Sequence, residues 1–410
     1  MSNWLSFLRK NKRMLNFGFQ FNFFSAFGQT FLISLYVPYW LKSVDISNAA
    51  FGVIYSGLTI ASAFLLSFFG GYIDKMPLKR YGFIVFIALM ISVAALSQVN
   101  NLLFLVVALL LVRWLGQGMM THTSAAGIAK TYGSDRGKAL SITALGIPAS
   151  QIVLPVLITF LISTYDWRIS LLVLVAFTSL IVLPSLQAIE KVSRPQSVNL
   201  QSPLELAKEG LRHLKRPVFR LMAFNFFLIP FVCTAIFLYQ YTIGESAGYS
   251  KEWVTFSFSF FAVFNAAGML LSGELTDRFS GKFLFPIYLI PAFIGLAAYS
   301  LIDTKWVFPF FYALLGISSG IGTTVSTAVQ AEIYGQKVLG KIRSYFTTLL
   351  VLSTALSPPF MGFFLDNNRP VQTALIILTA LTGLIIIMSF RLPKLIAKNP
   401  PKIETQSKEE

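Results

Sequence analysis

The sequence predicts an all-α membrane protein, with twelve transmembrane helices in two six-helix, pseudo-symmetric halves. Three observations carry that reading: composition, the spacing of long apolar runs, and a charged hinge that returns after half the chain. Of 410 residues, 55% are hydrophobic and 12% charged, and phenylalanine alone numbers 40. A soluble domain has too little interior to hide that much apolar surface from water. A bilayer core about 30 Å thick needs roughly 20 apolar residues per helix. Runs of that kind lie at 15–41, 50–71, 82–98, 102–128, 139–164 and 169–188, then at 218–243, 252–275, 283–301, 306–331, 342–365 and 372–390.

The hinge is Gly70-Gly71-Tyr72-Ile73-Asp74-Lys75-Met76-Pro77-Leu78-Lys79-Arg80, a short charged loop between two apolar runs. Its grammar returns as Gly273-Glu274-Leu275-Thr276-Asp277-Arg278, with Asp74 and Asp277 203 positions apart. At the same offset Gly137-Lys138 maps onto Gly340-Lys341, Ser141 onto Ser344 and Pro155 onto Pro358. One residue either side of that offset, Tyr132-Gly133 maps onto Tyr334-Gly335 and Gly116-x-Gly118 onto Gly320-x-Gly322. Repeats of this period are expected of a chain built from two parallel halves. The predicted organisation is a first half 1–188, a linker 189–217, a second half 218–391 and a polar, disordered tail 392–410. Within the linker, Ser202-Pro203-Leu204-Glu205 reads as a capped helix start, opening a short basic amphipathic helix.

A net charge of +16 raises nucleic acid as a partner, but the placement of the charge points to a bilayer. With both termini on one side, the loops there hold 27 Lys and Arg. The opposite loops hold five: Lys42, Arg168, Lys251, Lys305 and Arg369. By the positive-inside rule both termini face the cytoplasm, and a bacterial inner membrane is the expected location. The basic Arg9-Lys10-Asn11-Lys12-Arg13 precedes a span too long for a cleavable leader. Cys233 stands alone, which leaves no disulfide framework or metal cluster. No GxxxxGK[ST] phosphate loop, nucleophile–base set or metal spacing is present, so no cofactor, metal or catalytic residue is predicted.

Along the first helix Asn22, Ser25, Gln29 and Tyr36 fall at helical spacing and form one polar stripe. The stripe reads either as cavity lining or as hydrogen-bonding glue between helices. Helices three, six, nine and twelve have no Asn, Gln, His or charge in their interiors and are fit to face lipid. The others carry polar groups, among them Asn225 and Gln240 in the seventh and Asn265 in the eighth, which must face the bundle interior or a water-filled cavity. Mid-span in the fourth helix lies Arg113, which at 100° per residue shares a face with Gln117, Met120 and Ser124. A central arginine costs roughly 2.5–3.5 kcal/mol on insertion scales. Its compensation is either backbone carbonyls or a substrate. His122 falls on the opposite face, where it packs helices or relays a coupling proton. No helix interior holds Asp or Glu, since Glu274, Glu332 and Asp366 sit at helix ends. Pro148, Pro155 and Pro358-Pro359 mark elements that bend, and Gly316-x-x-x-Gly320 allows close packing.

The Gly-x-x-x-Asp-Arg/Lys hinge resembles the loop signature of the major facilitator superfamily, between its second and third and its eighth and ninth helices. Arg113-Trp114-Leu115-Gly116-Gln117-Gly118 is similar to that superfamily's fourth-helix motif. The resemblance runs from about residue 15 to 391. Pro77 stands where the signature usually has glycine, and Gly146-Ile147-Pro148 only loosely matches the fifth-helix signature of drug/proton antiporters. A more distant likeness is to the monocarboxylate and oxalate/formate branch, although the eighth helix lacks the Asp-Arg pair typical of monocarboxylate carriers.

Together these readings predict a monomeric secondary transporter that works by alternating access, with a small-molecule substrate and the lipid bilayer as partners. A small organic anion is the expected cargo, because Arg113 is the only buried charge and guanidinium pairs with carboxylate through two parallel hydrogen bonds. The expected substrate residues are Arg113, Gln117, Asn22, Gln29, Tyr36, Asn225, Gln240 and Asn265. The expected gating hinge is Gly70, Asp74, Lys79, Arg80, Gly273, Asp277 and Arg278, with Lys79 or Arg136 as the partner of Asp74. The alternatives are an exporter of neutral or amphipathic compounds, and a membrane sensor that kept the fold without transport.

Overall fold

Among the described residues eleven helices are long and apolar enough to cross a membrane: Asn48–Asp74, Leu78–Leu96, Leu102–Thr131, Arg136–Thr164, Trp167–Gln187, Pro217–Leu238, Lys251–Phe279, Gly281–Leu301, Val307–Tyr334, Ile342–Asp366 and Val371–Ser389. With a first pass that is broken into pieces, they make the twelve crossings, here called the first to twelfth helices. The computed structural model describes residues 2–132, 135–187, 215–335, 339–367 and 371–398. The expected linker helix with its Ser202–Glu205 cap lies outside the described residues. Of the tail expected to be disordered over 392–410, Leu392–Lys398 is instead a short helix with Leu392 buried, and the rest lies outside the described residues.

The first pass differs from the continuous helix expected at 15–41. It runs as α-helix over Ser2–Phe24, tightens into a 3₁₀ turn at Ser25–Gly28, and crosses Gln29 in extended backbone (ψ 145°). It then restarts at Thr30–Ile33 and again at Val37–Val44. Local side-chain bonds explain the breaks. Ser25 Oγ donates to the Asn22 carbonyl at 2.6 Å and Ser34 Oγ to the Phe31 carbonyl at 2.7 Å, which offers the backbone an alternative to the helical ladder. Pro38 has no N–H to give and is tolerated only in the first turn of the last piece.

The fourth helix is also irregular. Leu102–Val112 and Thr121–Thr131 are α-helical, while Arg113–Met120 between them is π-helical. An inserted π turn widens the spiral and changes which side chains share a face. It lies where the first and fourth helices nearly touch. A Cβ on Gly116 would come within 2.6 Å of the Gly28 backbone nitrogen, and one on Gly28 within 2.6 Å of the Val112 carbonyl. Only two glycines allow this approach.

By its internal contacts the chain divides into two compact units. The first holds Met1–Leu200 with Phe237–Thr255, and the second Gln201–Ile236 with Phe256–Glu410. Within the first unit the third helix packs along the sixth; within the second, the ninth packs along the tenth and twelfth. Gly316 and Gly320 of the tenth helix press on the eighth, each Cβ position falling against the Phe261 or Asn265 carbonyl. The start of the seventh helix buries Phe219 and Met222 among Phe285, Val329, Tyr345, Phe346 and Leu392.

Candidate functional site

The irregular segment of the first pass is the organising feature of the first unit. Broken helix at membrane depth is tolerated only where other protein groups satisfy the freed backbone. Four side chains from other helices bond to the segment here, two of them (Arg113 and Gln240) at backbone carbonyls and two (Tyr55 and Ser170) at its side chains. Arg113 Nη1 donates to the Gly28 carbonyl at 3.5 Å, and Tyr55 donates to Thr30 Oγ1 at 2.9 Å. Gln240 Nε2 donates to Ser34 Oγ at 2.7 Å and to the Phe31 carbonyl at 3.3 Å. Ser170 Oγ shares a hydrogen bond of 3.0 Å with the Tyr36 hydroxyl, and Tyr36 stacks on Trp40.

Arg113 is 2% exposed. Its guanidinium lies over the Tyr55 ring, 4.2 Å from the centroid, and its Nη1 donates to the Tyr55 hydroxyl. Both of its hydrogen bonds leave from Nη1, and Nε is buried without a partner. Among the described residues no carboxylate pairs with it. A buried cation held only by a phenol, a π face and a long carbonyl contact is under-compensated.

Some of the expected substrate residues gather here. Gln29 is half-buried at the helix break next to Gly28, its Nε2 3.5 Å from Ser25 Oγ. Gln117, also half-buried, has its backbone nitrogen against Gly28. Others are spent elsewhere. Asn22 donates to Ser124 Oγ at 3.0 Å and to the Thr143 carbonyl at 2.9 Å, so it ties the first helix to the fourth and fifth. Since the helix breaks after Phe24, no single 3.6-residue stripe runs from Asn22 to Tyr36. In the second unit, Asn225 donates to Ser389 Oγ at 2.8 Å and to the Phe285 carbonyl at 3.2 Å, and accepts from Tyr288 at 2.6 Å. That set joins the seventh, ninth and twelfth helices. Asn265, half-buried, offers its backbone to Gly320. The residue that sequence reasoning missed is Tyr55. An apolar run with a tyrosine is unremarkable in a sequence, and nothing in spacing places residue 55 beside residue 113.

The first hinge closes around Asp74, but with a different partner from the two expected. Gly70–Asp74 forms a 3₁₀ turn, and the Asp74 carboxylate pairs with Lys130 at the end of the fourth helix. Lys79, one residue into the third helix, turns away to the Gln187 carbonyl at 2.8 Å, and Arg136 is exposed. His122 Nε2 lies 3.1 Å from the Gly70 carbonyl. A carbonyl only accepts, so Nε2 carries the proton in this contact. Arg80 is exposed. The second hinge departs from a loop altogether: Gly273, Asp277 and Arg278 remain in the eighth helix, which continues to Phe279. There Asp277 is exposed and Arg278 lies 5.3 Å from the Phe279 ring centroid.

The family model described as Major Facilitator Superfamily matches residues 20–308 and 258–410. The chain belongs to that superfamily. Among its relatives is monocarboxylate transporter 12 of Xenopus laevis, 22% identical over 313 residues, which is 68% of this chain and 66% of the relative. The same protein of Mus musculus is 22% identical over 68% of this chain and 64% of its own length. The chain thus spans just under two thirds of these relatives. In fold it is similar to a bacterial homologue of the human lysosomal transporter Spinster, solved inward-facing and unoccupied, with a TM-score of 0.73 and 14% identity over 95% of this chain and 97% of that one. It is also similar to the nucleoside transporter NupG, with a TM-score of 0.71 and 13% identity over 92% and 98% of the two chains. At those identities the likeness is one of fold. Membership of that superfamily, with eleven long apolar helices among the described residues, makes it a multi-pass membrane protein.

Proposed function

We propose that this superfamily transporter moves a small organic anion, of the monocarboxylate class, by alternating access, with Arg113 as the ligand of its carboxylate. One observation carries the reading: a guanidinium 2% exposed in a transmembrane helix, with no acid beside it and Nε unpaired. Bringing in an anion would supply the missing counter-charge. The names of the monocarboxylate relatives support the same class. Gln29 and Gln117, which flank the break at Gly28, are the polar groups proposed to contact the rest of the cargo.

The test is uptake by proteoliposomes of a panel of pyruvate, lactate, butyrate and benzoate, each compared with its amide. Uptake should favour the acid. Leaving a buried charge unpaired costs several kcal/mol, so Arg113→Ala should abolish the preference, and Arg113→Lys should restore it only in part because lysine lacks the fork. If the amides travel as well as the acids, or Arg113→Ala transports normally, the cargo is neutral and the exporter of amphipathic compounds replaces this reading. No movement of any solute would favour a sensor.

We further propose a bacterial cytoplasmic membrane as the location, with both termini on the cytoplasmic side, on the strength of the 27-to-5 division of basic residues. In a Cys233→Ser background, a cysteine at Ser47 should react with an impermeant thiol reagent in intact cells. One at Ser141 should not, and the reverse pattern would invert the topology.

A further inference from the structure

We infer that Tyr55 is a positioning residue for the anion site: it fixes the Arg113 guanidinium by Nη1 so that the Nε–Nη2 edge is left unpaired, for a carboxylate to take. This rests on the anion reading above and goes beyond it by assigning the residue that aims the fork. The hydrogen bonds are divided unevenly around the guanidinium. Nη1 serves both the Tyr55 hydroxyl and the Gly28 carbonyl, while Nε, fully enclosed, serves nothing. The side of a guanidinium that offers two parallel N–H groups from different nitrogens is the one a carboxylate grips in a bidentate pair. Here Nη1 is engaged by protein, while Nε on the other such side is buried and unpaired.

Tyr55 holds the group in two ways. Its ring lies under the guanidinium plane, with Cζ 4.2 Å from the centroid, which fixes the tilt. Its hydroxyl accepts from Nη1 and passes its own proton to Thr30 Oγ1 at 2.9 Å, which fixes rotation in the plane. Thr30 is the first residue after the extended Gln29, so the chain Thr30–Tyr55–Arg113 ties the fork to the break in the first helix. Tyr55 is itself fully buried and packs in a tilted ring contact with Phe51, so it has little freedom to yield. The third support, the Gly28 carbonyl, is at 3.5 Å and weak.

Tyr55→Phe removes the hydroxyl and keeps the ring, which makes it the informative variant. The probe is whichever panel acid binds most tightly, with its amide, measured by equilibrium binding to purified protein. Loss of a hydrogen bond to a charged group should weaken acid binding about tenfold or more and lower the thermal midpoint, because buried Arg113 loses a partner, while amide binding is unchanged. A merely structural tyrosine would weaken acid and amide alike. Tyr55→Leu, which removes ring and hydroxyl, should cost the acid more. Thr30→Val, which unties the hydroxyl alone, should cost it less. The outcomes separate the two proposals. If wild type prefers the acid, Arg113→Ala loses that preference and Tyr55→Phe keeps it within twofold, only the positioning role falls. Tighter acid binding in Tyr55→Phe also overturns it, because the hydroxyl would then be a competitor for the fork. If wild type shows no preference for the acid, the anion reading falls and this inference falls with it.

Discussion

The two hinges occupy equivalent places in the repeat and are held by different chemistry. In the first, the acid is in the hinge and the base on the following transmembrane helix: Asp74 pairs with Lys130. Three side chains also take the carbonyls of the turn: Tyr81 at Phe69 and Gly70, His122 at Gly70, and Lys130 at Ile73. In the second, the acid has moved to the helix. Glu332, near the end of the tenth helix, accepts from the Gly281 N–H at 2.6 Å and the Lys282 N–H at 3.2 Å. Those donors belong to the first turn of the ninth helix, where an anion meets both free N–H groups and the positive end of the dipole. Backbone is difficult to move, and a side-chain ion pair swings open readily. The contrast leads us to expect that the first hinge releases more easily than the ninth-helix end of the second.

The largest effect that tests this contrast is at Glu332. Glu332→Ala leaves two N–H groups at a helix start without an acceptor, which should cost about 1–2 kcal/mol after allowing for exposure. Glu332→Gln keeps an acceptor but no charge, and should fall between. Thermal unfolding of purified protein in detergent would measure both. A Glu332→Ala midpoint equal to wild type would mean that water serves those N–H groups equally well, and the contrast would collapse.

The repeat itself was legible in the sequence, because Gly, Pro and Asp at one offset are discrete marks. What each mark touches was not. Gly116 and Gly320 are partners in the repeat, yet Gly116 meets the first helix and Gly320 the eighth. Arg113 could be singled out because a charge within an apolar run is conspicuous. Its setting was hidden by two local events, the break after Phe24 and the π turn at Arg113–Met120, each of which shifts the angular bookkeeping that a regular helix permits. The two irregular segments meet at Gly28 and Gly116, a contact across helices with no local signature. Asp74 was likewise conspicuous. The expected partners, Lys79 and Arg136, are loop-side bases, whereas Lys130 reaches Asp74 from the last turn of the fourth helix, 56 residues away, and no spacing in the sequence shows that approach.

A smaller effect is expected at His122, which belongs to the first hinge alone. His122→Phe removes one hydrogen bond to the Gly70 carbonyl and keeps a ring against Gly70, where a Cβ would already sit 3.4 Å from Nε2. One neutral hydrogen bond contributes about 1 kcal/mol. The midpoint should drop modestly, and the amide of Lys75, which donates to Tyr72 at 3.0 Å inside the turn, should exchange faster. Unchanged exchange there would show that Tyr81 and Lys130 hold the turn without help.

The smallest effect on stability is expected at Asp74–Lys130, even though it is the contact most suited to switching. The two side chains are 26% and 22% exposed, so water screens the pair, and such pairs contribute from nothing to about 1 kcal/mol. Asp74→Asn should therefore shift the midpoint little and leave acid binding within a few-fold. Its mark should appear in the transport rate, because a bias of about 1 kcal/mol between two conformations is enough to change their ratio several-fold. Exchanging the residues, Asp74→Lys with Lys130→Asp, restores the attraction in reverse and should recover most of the rate lost by either single change. The rate deficit of Asp74→Asn should also shrink in high salt, where the wild-type pair is itself weakened. If the exchanged pair is as slow as the single variants, then the carboxylate at position 74 acts on something other than Lys130. The first hinge would then resemble the second, with an acid whose role is to hold backbone.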